Sequence, residues 1–149
     1  MATIVRSARG VLYAEDFAAW AEAQAEALRS GRLDALDLEH LAEEIGDLSK
    51  REQDAIESHL ETVVMHLLKW RYQPDQRTRS WEATIKVARR KIAKLLRRSP
   101  SLRRDLPAAL GEVYPNARIR AGAATGLAED AFPDALPFTL DQVTGDWMP

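Results

Sequence analysis

Glu52, His59 and His66 stand seven residues apart, in a stretch whose apolar residues recur at helical spacing. On a helix they share one face, and carboxylates and imidazoles from facing helices can build a metal site inside a bundle. A metal-dependent hydrolase is the chemistry such a polar seam would suggest. Spacing argues against it. Seven residues at 1.5 Å rise place the two imidazoles about 10 Å apart, too far to share one ion at bonds of about 2.1 Å. The residues three before His59 and His66 are Ile56 and Val63, so the Glu-x-x-His pattern of di-iron bundles is missing, and a site would need Glu43, Glu44 or another helix. The reading that follows is of histidines hydrogen-bonded at the edge of a core, with no tightly bound metal and no cofactor. Ser58 and His59 are neighbours that point about 100° apart on a helix, so they form no nucleophile and base pair. The chain has no cysteine, which removes disulfides and thiolate chemistry, and no glycine-rich loop following a strand. An enzyme is the less favoured class.

A second constellation is basic. Residues 69–104 carry 13 cationic and 2 acidic side chains, against 6 and 14 over residues 1–68 and 2 and 7 over 105–149, although the whole chain is only −2. Lys86, Arg90, Lys94 and Arg97 or Arg98 follow one another at helical spacing with Arg89 and Lys91 beside them. Such a face either pairs with the acidic faces of the earlier helices or is displayed to an acidic partner. Pairing is favoured, because charge runs are more often solvated or paired than nucleic-acid footprints. Trp70, Tyr72 and Trp81, interleaved with Lys69, Arg71, Arg77 and Arg79, are able to stack bases while the cations hold phosphates. The alternative, favoured because no reader motif is legible, is that the tryptophans pin a corner between two helices under arginine stems, and their truncation should then destabilise the fold.

The elements that position these residues are helical. A first helix is expected from Glu15 to Leu28, with Phe17, Trp20, Ala21, Gln24 and Leu28 on its stripe and Gly31 beyond its end. Asp37 suits the N-cap of a long second helix, with Leu36 and Leu41 as a staple. Leu38, Leu41, Ile45 and Leu48, then Ile56, Leu60, Val63, Leu67 and Trp70, make a bundle seam that ends at Pro74, with a bend at Gly46 or a break near Ser49. Thr78 or Ser80 caps a third helix whose stripe is Trp81, Ile85, Ala88, Ile92, Leu95 and Leu96, and Pro100 opens another. Between Leu102 and Ala124, Pro107 and Pro115 each remove a backbone donor and are expected to bend or interrupt the helix. The tail after Gly126 reads as irregular, with one short turn boxed by Thr139 and Gln142 and an anchor at Trp147.

The run His66 to Trp81, with Leu41-Ala42-Glu43-Glu44-Ile45 before it and Ser99-Pro100-Ser101-Leu102 after it, resembles a bacterial domain-of-unknown-function family, number twenty-nine, over roughly Tyr13 to Trp147. That resemblance implies an all-helical domain and brings no reaction, cofactor or catalytic residue with it. The expectation is therefore an all-α fold: a single up-and-down bundle of about four helices over 13–149, an N-terminal arm over 1–12, and an irregular C-terminal tail. Composition is that of a globular protein, with 46% hydrophobic and 30% charged residues. No run approaches the roughly 18 apolar residues of a membrane span and the start lacks a signal-peptide apolar region, so no membrane partner and a cytoplasmic location are expected. The functional expectation is a non-catalytic protein-interaction module, binding another protein or its own copy. Nucleic-acid binding through the basic face of residues 80–98, carried by Lys86, Arg89, Arg90, Lys94, Arg97 and Arg98, is the alternative.

Overall fold

Asp16 begins the first well-defined element: its carboxylate accepts the Ala19 amide at 2.9 Å and so caps helix α1, Phe17–Arg29. The computed structural model describes residues 12–149, so the arm expected over 1–12 falls, but for Leu12, outside the described residues. Gly31, at φ +70, turns the chain after α1, a left-handed conformation that costs glycine nothing. Asp37 then accepts the His40 amide as the cap of α2, Leu38–Tyr72. This helix runs 35 residues without interruption, through Gly46 and past Ser49, where a bend or break was expected.

Helix α3, Arg79–Arg98, is capped by Thr78, whose hydroxyl accepts the Trp81 amide at 3.2 Å. A 3-10 stretch, Pro100–Asp105, leads into α4, Leu106–Thr125. Here the proline expectation is corrected, because α4 is one helix. Pro107 sits in its first turn, where no intrahelical donor is needed, and Pro115 lies on an exposed position of the interior. The acceptor that Pro115 leaves unused belongs to Gly111, also exposed, so that carbonyl is not buried without a partner and the helix continues. Helix α5, Leu140–Thr144, carries the expected box: Thr139 accepts the Gln142 amide while the Gln142 side chain accepts the Thr139 amide.

The fold is all-α, with no strand among the described residues. Two compact units divide it, Met1–Lys50 and Arg51–Pro149, with α2 running through both. The second unit holds the core. Ile56, Leu60, Val63, Val64, Leu67 and Leu68 of α2 pack with Ile85, Ile92 and Leu96 of α3 and with Leu110, Val113 and Ala117 of α4. The tail closes this core with Phe132, Phe138 and Val143, and Trp147 packs against it as expected of an anchor. No described helix is long and apolar enough to cross a membrane.

Candidate functional site

Glu52, His59 and His66 do not converge. Glu52 accepts from Nε of Arg98 at 3.0 Å and from the Ser99 hydroxyl, tying α2 to the end of α3. His66 donates from Nδ1 to the carbonyl of Thr62, one turn back on its own helix, at 2.8 Å. Burial pushes its pKa down, with Lys69 adding to the effect and the Thr62 bond opposing it. Burial and then Lys91 do the same to His59. Both imidazoles are held toward the neutral form by their surroundings rather than by a shared ligand. Among the described residues no three histidine or carboxylate side chains stand close enough together to hold a metal ion.

The basic face divides on inspection. Arg89 is buried at 8% exposure and is a clamp rather than part of a surface. Its Nε donates to Val143 O at 3.0 Å, and its Nη2 donates to Gln142 O at 2.8 Å and Trp147 O at 2.7 Å. Burial lowers its pKa from the usual arginine value and Asp146 opposes that. The five donors of a guanidinium fork suit several carbonyls at once, which explains an arginine here rather than a lysine. Arg98 pairs with Glu52, and Lys86 with Glu82 of its own helix at 2.6 Å. Arg90, Lys94 and Arg97 are exposed and form no ion pair among the described residues. The pairing expected with acidic faces of the earlier helices is thus limited, for this face, to Arg98 with Glu52. A cleft beside α3 is lined by Lys86, Arg89 and Arg90 and, from the tail, by Thr144, Asp146 and Met148.

At the α2–α3 corner, Trp70 and Trp81 are half-buried. Lys69, itself buried, lies 4.2 Å from the Trp81 ring centroid, and Arg77 lies 5.1 Å from that of Trp70 while donating to its carbonyl at 2.9 Å. Each ring therefore already carries a cation from its own corner, and the cation–π geometry accounts for the interleaving seen in the sequence.

What spacing alone did not reveal is in the first unit. Trp20, 2% exposed, donates from Nε1 to Asp37 at 3.1 Å, and the same carboxylate oxygen meets His40 Nδ1 at 2.7 Å. Tyr13 stacks on His40 with centroids 3.8 Å apart and donates its hydroxyl to Glu44 at 2.7 Å. That bond, more than burial, pushes the Tyr13 pKa up to about 12. Burial alone would raise the Asp37 pKa, but the bonds from His40 and Trp20 outweigh it and lower the value. Gln24 completes the hairpin by accepting the Asp37 amide at 2.7 Å. The signal that marks this cluster is the Asp-x-x-His start of α2, with an aromatic stripe preceding it.

Those contacts engage one side of the first turns of α2. Its seam lies on another and stays open: Leu38 is 69% exposed, Ile45 65% and Leu48 56%. Phe17 and Leu28, expected on the buried stripe of α1, are exposed as well, while Trp20, Gln24 and Ala27 are the residues buried there. In unit Arg51–Pro149, by contrast, the exposed large apolar side chains are Val87 and Ile119.

The family model described as Domain of unknown function DUF29 matches residues 12–148, and the chain belongs to that family. Comparison with curated proteins and with solved structures gave no match.

Proposed function

Taking a DUF29 family member as the starting point, we propose that this chain is a non-catalytic protein-interaction module whose docking face is the open stripe of α2. One observation carries the reading. The same apolar seam is 0% exposed at Leu60, Val63 and Leu67 yet more than half exposed at Leu38, Ile45 and Leu48. Ala42, Gly46 and Ser49, also exposed, intersperse these large residues and lower the surface enough for a second helix to approach closely. Contiguous apolar surface of this kind, rimmed by charge, is what docking sites have in common.

A photo-crosslinking residue placed at Ile45 in the producing cell tests the proposal, with Asp75, exposed in the other unit, as the control position. Discrete adducts at Ile45 and not at Asp75 are expected. Equal labelling at the two positions would remove the docking face.

The second reading is nucleic-acid binding by Arg90, Lys94 and Arg97, favoured by their exposure without ionic partners. Its signature is an affinity that falls steeply and log-linearly with salt, by about one unit of slope for each phosphate contact. Substituting all three by glutamine should then abolish binding. The hydrolase reading finds no support in the geometry, since Glu52, His59 and His66 each bond to a different neighbour or stand alone.

A further inference from the structure

Lys86, Arg89, Arg90 and Ala93 stand at steps of three and four residues and so share one face of α3. Arg89 draws the tail across that face, since its bonds to the carbonyls of Gln142, Val143 and Trp147 hold Asp146 and Met148 beside the helix. The cleft between them measures about 480 Å³, within the roughly 300–1,000 Å³ of small-molecule sites. Every residue lining it belongs to the unit Arg51–Pro149. Within this cleft Arg89 is incompletely used. Its Nε and Nη2 are spent on carbonyls, whereas Nη1, which carries two of the five N–H donors, meets only the thioether of Met148 at 3.9 Å, a weak acceptor. The residue is more than nine-tenths buried, yet no carboxylate pairs with it among the described residues. Asp146 is near enough to favour the charge but forms no ion pair with it. An oxyanion that reaches such a donor gains a charge-assisted bond that water screens less than it would at the surface.

The balance of charge chooses the anion. Lys86, Arg89 and Arg90 bring three positive charges, and Glu82, bonded to Lys86, and Asp146 offset two of them, which leaves +1. That neutralises a carboxylate and falls short of a phosphate dianion. Ala93, Met148 and the aliphatic stems of Lys86 and Arg90 supply apolar wall for the rest of a ligand. We propose that this cleft is a binding site for a small organic carboxylate, with its oxygens on Nη1 of Arg89 and the charged ends of Lys86 and Arg90, and its apolar body against Ala93 and Met148.

Titration of the isotope-labelled full chain with octanoate, followed by amide NMR shifts at fixed pH and physiological salt, tests the proposal. Saturable shifts centred on Ala93, Asp146 and Met148 are expected. Octanol, which lacks the charge, should bind about tenfold more weakly, the equivalent of one charge-assisted hydrogen bond. Lys86→Gln with Arg90→Gln should weaken octanoate by about the same factor, and Asp146→Asn should tighten it by removing a like charge. Lys94→Gln with Arg97→Gln removes the same charge outside the cleft and should leave the affinity within about twofold, because exposed distant charges are screened. All these substitutions fall on exposed residues and leave the Arg89 clamp in place, so helical content should match the parent. Shifts that do not saturate, or that centre on Leu38, Ile45 and Leu48, overturn the proposal. Equal affinity for octanol, tighter binding of octyl phosphate, or equal weakening by the two pairs of glutamine substitutions overturns it as well.

Discussion

The two halves of α2 differ less in sequence than in what covers them. Both carry aliphatic residues at three- and four-residue steps on one stripe. In the second half α3 and α4 contribute Ile85, Ile92, Leu110 and Val113 to a core that takes Leu60, Val63 and Leu67 to 0% exposure. In the first half the neighbour α1 brings Trp20 and Gln24 to the side that holds Asp37, leaving Leu38, Ile45 and Leu48 to solvent. Periodicity states which residues lie on one face. It does not state whether the chain supplies a second surface for that face, and this difference separates a covered seam from an open one.

The largest effect that tests the contrast is expected from Leu67→Ala, which should cost about 2–5 kcal/mol in denaturant melts because it leaves a cavity in a closed core. Ile45→Ala should stay within about 0.5 kcal/mol in the isolated chain. Equal losses at the two positions would mean that the stripe is covered and the contrast false. Next is Arg89→Ala, which strands the carbonyls of Gln142, Val143 and Trp147 at about 1–3 kcal/mol for an unsatisfied buried group. Hydrogen exchange should show protection lost from residues 140–149 and retained in α2, and Arg89→Lys should not restore it, since an ammonium lacks the planar fork.

Smaller losses are expected at the corner. Trp70→Ala and Trp81→Ala remove half-buried rings with a cation over each, so about 1–2 kcal/mol is the expected cost instead of the 3–5 of a fully buried aromatic. Thermal melts of the two variants measure this, and parental melting of both would return the rings to the role of an exposed stacking platform.

The mildest effect is on pH dependence, and it separates the two units. Folding lowers the pKa of His59 and His66, so the unfolded chain binds their protons more tightly. Their contribution is complete above about 6.5, the ordinary histidine value, and is lost as pH falls through the folded values. Asp37 is also lowered, so its contribution to the hairpin is complete above about 3.9 and is lost only on stronger acidification. Exchange protection in α3 and α4 should therefore weaken from about pH 6.5 downward, and His66→Leu should flatten that slope. A hairpin that loosens at the same pH as the core would contradict the assignment of Asp37.

Much of the local structure was legible beforehand for physical reasons. Asp37, Thr78 and Thr139 cap helices because a short polar side chain reaches the amide three residues on, a property that needs no tertiary partner. The core stripe of α3 followed from its period, with one exception that is informative. Arg89 was grouped by charge type with a basic face, yet it lies one residue after buried Ala88 and turns inward, where the C-terminal tail offers it carbonyls. Pro115 was read by its intrinsic effect, while the outcome depended on Gly111 and Pro115 both being exposed, so that the missing donor strands no buried carbonyl.

From sequence alone, then, came the all-α class, the helix starts, the corner at Pro74 and the segregation of charge, since all of these arise from interactions within a few residues. Tertiary structure decided which apolar residues have partners, which cations are occupied, and that Tyr13, Trp20, Asp37, His40 and Glu44 meet in one cluster. Those outcomes depend on surfaces brought together from distant parts of the chain, and burial of a side chain is a property of both surfaces rather than of either one.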